Sequence, residues 1–311
     1  MEVKTSRTTK QQLPKVLRSK ELEWINLDLT NSSDVSWLKR DSGLGERIVE
    51  RFIEPRETIV QYQLGNGTLA RVLYAKLGKD PSDDQIGELG FWIEARRVIT
   101  FRRGSPGSLI EGLEVEFASD GAPSTPWEFF ASAVSRVTDH IEKNQTILES
   151  TVDRLEDTML QRGAPMPTDD LAALRKRFIY MRRYKAPLAV LVEAIAGDAV
   201  LDMGEEARSE LKDAAASLTQ SQQLSEFYIE RANNVQEYFQ NQLSDRMDKV
   251  AFRLTLVATV FLPATFLTGL LGINVAGIPG THDPYTFWLV CLFLILVAMA
   301  STVIVARVTK P

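Results

Sequence analysis

Two stretches near the C-terminal end constrain this chain more than anything else in it. Leu254 to Gly272 is 19 residues without a charge, and Thr286 to Ala306 is 21. A helix needs about 20 mainly apolar residues to cross the hydrocarbon core of a bilayer. A buried helical hairpin in a soluble core is the competing reading. Two such windows joined by a polar 13-residue link (273–285) are unusual in soluble chains, so we read 254–272 and 286–306 as transmembrane helices. Lys249 and Arg253 precede the first span, and Arg307 and Lys310 follow the second. The link carries His282 and Asp283 but no Lys or Arg. This asymmetry places both termini in the cytoplasm and the link outside. The N-terminal MEVKTSRTTKQQLPKV has no apolar core of a secretory signal, so the bulk is expected to stay where it is made.

The chain has 311 residues and a net charge of -5, enough for one sizeable soluble core besides the hairpin. Its one cysteine, Cys291, lies inside the second span, so no disulfide or clustered thiolate site forms within one chain. With two histidines, nothing has the tight spacing of a closed zinc site. There is no Walker loop, GxSxG or HExxH. No catalytic constellation emerges, so we expect neither an enzyme nor a required cofactor.

Residues 1–20 read as a flexible basic leader, and 21–125 as a small α/β cytoplasmic domain. Within it Trp24–Leu29 alternates like a strand, and Asp34–Lys39 and Leu44–Phe52 read as short helices, the first capped by Ser32 or Ser33. Thr68–Leu77, Glu88–Ile93, Arg97–Arg102 and Leu113–Phe117 read as strands. The acidic loop from Asp80 to Asp84 is either a cation site or, as we prefer, a solvated turn. Residues 126–203 form a helical hairpin. Phe130, Val134, Val137, Ile141, Leu148, Val152, Leu155 and Met159 make one apolar stripe. After the break at Gly163–Pro167, Leu171, Leu174, Phe178, Met181, Leu188, Val192, Ile195 and Ala199 make a second, skipping Lys185. Arg175, Lys176, Arg177, Arg182, Arg183 and Lys185 read as a basic cluster. A solvated face beside acidic neighbours fits this acidic chain better than a nucleic-acid patch, and no nucleic-acid partner is expected.

Residues 204–272 read as one long helix that continues into the first span, with Pro263 inside the bilayer, where a membrane helix tolerates it. The link 273–285, the second span 286–306 and a cytoplasmic tail 307–311 complete the chain. Steps of three and four along the long helix pick out Glu237, Asn241, Ser244, Asp248, Ala251, Thr255, Ala258, Leu262, Thr265 and Gly269. Nearly all are small or polar, whereas the other faces carry Phe239, Leu243, Val250, Leu254, Val257, Val260, Phe261 and Leu267. Close helix packing explains Ala251, Ala258 and Gly269. It explains Glu237 and Asp248 less well. Several copies around an axis would line a pore with rings of hydroxyl, amide and carboxylate groups. Such rings suit a hydrated cation, with carboxylates concentrating it and Leu262 as a dewetting gate.

The first span ends in Gly272-Ile273-Asn274, and Phe261–Asn274 resembles the pore-end signature of the CorA-type metal ion transporters. Gly-Met-Asn is usual in that family's magnesium branch. Gly-Ile-Asn followed by Gly277-Ile-Pro-Gly280 is similar to its zinc-transporting ZntB branch. The resemblance covers essentially the whole chain. It implies a homopentameric funnel in the bacterial inner membrane, its cytoplasmic part an α+β domain built as an α/β/α sandwich with long helices. It implies that the first span lines the pore and that Gly272, Ile273 and Asn274 form the outer selectivity loop. Asn274 would meet the ion through its hydration shell, with Asp248 below. Asp213 stands, by gap-free spacing, where the magnesium branch has an acidic regulatory site between subunits. The acidic outer loop common in that branch is missing. His282 of each copy would ring the mouth, and imidazole suits zinc better than magnesium. The expected function is divalent cation transport, of zinc first and with nickel and cadmium as further candidates. A magnesium or cobalt channel is the alternative, and a membrane-anchored scaffold is the alternative from another class.

Overall fold

The computed structural model describes residues 14–18, 21–54, 60–78, 81–103, 108–119, 121–160, 168–272 and 285–308. Six strands among them, β1 (Lys15–Arg18), β2 (Glu23–Asp28), β3 (Val60–Leu64), β4 (Gly67–Lys76), β5 (Gln85–Ile93) and β6 (Arg97–Arg103), form one sheet in the order β1-β2-β6-β5-β4-β3. Every neighbouring pair is antiparallel except β2 and β6, which run parallel with Trp24 opposite Val98.

Alternation along the strands gives the sheet two apolar faces. On one, α1 (Ser32–Arg40) and α2 (Glu46–Ile53) lay Leu38, Val49 and Phe52 on Ile25, Leu27, Leu69, Trp92, Ile99 and Phe101. The Phe52 and Phe101 ring centres are 4.5 Å apart. On the other face lie α3 (Ser108–Phe117) and α4 (Pro126–Leu160). There Trp24 packs at a tilt against Phe117 and Phe129, and Phe91 meets Phe130 edge-on at 5.1 Å. The expected three-layer α/β/α architecture is present. The apolar stripes of α4 and of α5 (Thr168–Gly197) are buried from Phe130 to Leu155 and from Leu171 to Ile195. Ala199, expected to continue the second stripe, lies beyond the end of α5 and is exposed.

Four local readings change. Leu113–Phe117 is helix, the last part of α3, not strand. Leu113 and Phe117 are buried while Val115 is 72% exposed, a separation that helical spacing produces and strand spacing does not. The cap of α1 is Asn31, whose Oδ1 accepts the Ser33 amide at 3.0 Å, so Ser32 and Ser33 lie inside the first turn. β1 lies within the stretch read as leader, held by Lys15–Glu114 and Arg18–Glu23 ion pairs. Lys185, read as part of a surface cluster, is 1% exposed.

The long helix α6 (Glu205–Leu271) starts after Gly204, whose φ of 72° favours glycine, and runs through Pro263 without interruption. The final helix is α7 (Thr286–Val308). The chain divides into two compact units, Met1–Gln236 and Glu237–Pro311, with the division inside α6.

Candidate functional site

In the second unit, the expected face of α6 is laid out as the spacing predicts. At 3.6 residues per turn, the ten positions from Glu237 to Gly269 fall within an arc of about 120°. All ten are exposed in the single chain, including Leu262 at 70%. The large apolar side chains of the other faces, among them Leu243, Val250, Leu254, Val257, Phe261 and Phe266, are exposed too. Neither apolar window of α6 or α7 buries a residue within the chain. Apolar surface on that scale demands lipid or further protein around it.

Five hydroxyls on the membrane-length parts of these helices are committed in a consistent way. Thr255 donates to the Ala251 carbonyl at 3.0 Å, Thr259 to Thr255 at 2.8 Å and Thr268 to Thr265 at 3.0 Å. On α7, Ser301 and Thr302 do the same toward Val297 and Ala298. A side chain whose only hydrogen points back along the helix costs little in a bilayer. Its oxygen still offers lone pairs outward. Thr255, on the small-residue face, is exposed and so keeps those lone pairs available to a donor. Gly269 has open space where a side chain would begin. Gly272 ends the helix, its amide donating to the Thr268 carbonyl at 2.9 Å. Ile273, Asn274, His282 and Asp283 lie outside the described residues, so the outer loop is known from its sequence alone.

The remaining candidates lie in the first unit. Asp213 is exposed on α6 and does not stand alone. Burial raises the pKa of the neighbouring Glu210, and the charges of Glu116, Glu206, Asp213 and Glu128 raise it further. The sequence shows Glu206, Glu210 and Asp213 on one helix, but only the fold brings Glu116 of α3 and Glu128 of α4 to them. Among the described residues no three His, Cys, Asp or Glu side chains converge as a metal site. The ring sites proposed for Asp213 and Asp248 therefore depend on neighbouring copies.

Two charged segments turn out to be structural. Asp84, in the acidic loop, takes Arg177 at 3.0 and 3.1 Å and the Gly78 amide at 2.9 Å. An arginine fills the place a cation would take. Half of the basic cluster on α5 is spent within the fold, while Lys176, Arg182 and Arg183 are exposed. Arg175 donates to Gln236 at 2.7 Å, Arg177 holds Asp84, and Lys185 is buried.

Comparison with known proteins agrees with this architecture. The chain is 28% identical over 285 residues to the zinc transport protein ZntB of Pectobacterium carotovorum subsp. carotovorum, covering 90% of this chain and 85% of that one. It is similar in structure to the full-length CmaX protein, with a TM-score of 0.76, 26% identity and coverage of 93% and 89%. The fold is also that of the complete CorA magnesium transporter from Methanocaldococcus jannaschii, with a TM-score of 0.76, 18% identity and coverage of 91% and 90%. The profile of the CorA-like Mg2+ transporter protein family matches residues 19–307. With two membrane-length helices at its end and that profile spanning nearly all of its length, the chain belongs to the CorA-like Mg2+ transporter family.

Proposed function

We propose that the chain carries zinc across the bacterial inner membrane, through a pore lined by α6 from five copies, with both termini cytoplasmic. One observation supports this reading above the others. The small, polar face from Glu237 to Gly269 is continuous along a membrane-length helix and ends at Gly272-Ile273-Asn274. The similarity to ZntB over nine-tenths of the chain favours zinc over magnesium.

The mechanism follows from what these side chains can do. A divalent ion holds its first water shell tightly. Asn274 amides at the outer end hydrogen-bond that shell without stripping it. Thr255 accepts from the shell water, its own hydrogen being turned back to Ala251. Rings of Asp248 and Glu237 raise the local cation concentration at the cytoplasmic end. Leu262 is the bulky apolar position on the face and closes the path by excluding water. Asp213 and its acidic neighbours offer a further cation-attracting ring between copies, and His282 an imidazole one at the mouth. The carried ion is the substrate; no cofactor takes part.

Zinc uptake into proteoliposomes tests the proposal. Losing the Asn274 amide removes a hydrogen bond to a charged, hydrated ion, worth about 1.5 kcal/mol or more. Asn274→Ala should therefore lower uptake by about tenfold or more. Zinc, nickel and cadmium fluxes that Asn274→Ala leaves unchanged would overturn the reading. The family's other chemistry gives a sharp contrast. A magnesium channel should be blocked by cobalt hexaammine and closed by millimolar internal magnesium, and zinc uptake indifferent to both separates the two.

A further inference from the structure

Lys185 is the most deeply buried ammonium among the described residues. It sits where α4, α5 and α6 meet. Its Nζ donates to Gln145 Oε1 of α4 at 2.5 Å and to the Ser221 and Ser225 hydroxyls of α6, both at 2.8 Å. The Ser221 carbonyl is a more distant fourth acceptor, at 3.3 Å. Three hydrogens thus meet three near acceptors, and all of those are neutral. Among the described residues no carboxylate pairs with it directly. Gln145 passes the charge outward instead, its Nε2 donating to Glu149 at 2.9 Å. The charged groups that act on the amine are Glu149 and Glu142, both on α4. From α6 it meets hydroxyls and a carbonyl.

We propose that this cage is a proton-operated latch, which holds the Ser221–Ser225 turn of α6 against α4 and α5 while the amine is neutral and releases it when the amine takes up a proton. The chemistry works in both states. A neutral amine has two hydrogens and one lone pair. Ser225, which donates to the Ser221 carbonyl at 2.9 Å, can turn and donate to that lone pair instead. The closed cage is then fully bonded without a buried charge. An ammonium in the same place is bonded but stripped of water, which a carboxylate one amide away offsets only in part. Opening the cage restores its water.

The direction follows from linkage. In the closed cage, burial brings the amine down from 10.5 to about 7, against the upward pull of Glu149 and Glu142. In the open form the amine regains its ordinary value. Between these limits the open form holds one more proton than the closed, so acidification favours opening and the effect levels off below about pH 7. The latch residues lie on the helix that continues unbroken to Leu271. The device thereby gives the membrane-entering helix a response to cytoplasmic pH.

Hydrogen exchange on the full-length protein in detergent tests this without any transport assay. Protection of amides around Ser221–Ser225, corrected for intrinsic exchange, should fall by up to about hundredfold from pH 9 to pH 7. Lys185→Met should make that protection independent of pH. Glu149→Gln, a milder change on a partly buried side chain, should move the midpoint to lower pH. Protection equally pH-dependent in wild type and Lys185→Met, or a midpoint unmoved by Glu149→Gln, would overturn the latch. A second arm rests on the proposed function. Lys185→Met should flatten the dependence of zinc uptake on internal pH, and an unchanged profile would overturn the coupling to the span.

Discussion

Gly90 shows how closely single residues are specified in the sheet. It lies opposite Phe101 in the β5–β6 register, and the ring covers it. A Cβ there would fall 1.9 Å from Phe101. Gly90→Ala should cost about 1–3 kcal/mol through displacement of a ring that also packs on Phe52, lowering the thermal midpoint by several degrees in a melting experiment. Single residues were also the least legible from sequence. Lys185 interrupts an otherwise apolar seam, and residue type alone assigns a lysine to solvent. The interruption was visible, but its meaning depended on Gln145, Ser221 and Ser225 arriving from two other helices. In contrast, placing the ten positions on one face of α6 needs only helical periodicity, which the sequence carries by itself.

The elements are joined by charged side chains as much as by apolar ones. Arg177 of α5 reaches the turn before β5, where Asp84 is 4% exposed. Removing one partner of a buried pair strands the other, so Asp84→Ala should cost about 3 kcal/mol in chemical denaturation. Arg177→Met in the same background should then add little, the non-additivity of a shared interaction. Arg71 and Arg103 flank Glu88 within the sheet and also donate to the carbonyls of Arg51, Ile53 and Glu54 at the end of α2. These joints supply the donors that the last carbonyls of a helix otherwise lack. Most elements were legible from the sequence: β2, β4, β5, β6 and the helices from α4 onward lie close to where periodicity placed them. The failures have physical causes. Leu113-Glu-Val-Glu-Phe117 alternates by chance over a window too short to separate period two from helical period. β3 was missed although Val60-Gln-Tyr-Gln-Leu64 alternates and Gly65-Asn66 makes a two-residue hairpin turn with Gly65 at a φ of 61°. β1 is a four-residue edge strand with a charge at each end, a composition that blunts an edge and hides it from a pattern search.

At the scale of the whole molecule, one copy is incomplete. The membrane-length windows of α6 and α7 are largely apolar, and neither buries a residue within a single chain. The proposed pore needs five copies, so native mass spectrometry in detergent should give five times the 34.9 kDa protomer. A stable monomer would remove the polar rings and with them the proposed path. Zinc uptake should also fall when Asp248 and Glu237 are both replaced by their amides, and more so at low ionic strength, where their field reaches farther. The parallel pairing of β2 with β6 has a different consequence, for the order in which the protein is made. Asn26 and Thr100 are hydrogen-bonded neighbours separated by 74 positions in the chain. During synthesis β2 therefore emerges long before its partner, and α1 and α2 emerge with no finished sheet to cover. Loop closure of that length delays assembly, and the apolar sides of both helices stay open to chaperones until β6 leaves the ribosome. The birth of the transporter is thus paced by a strand pair that takes no part in its membrane-length helices.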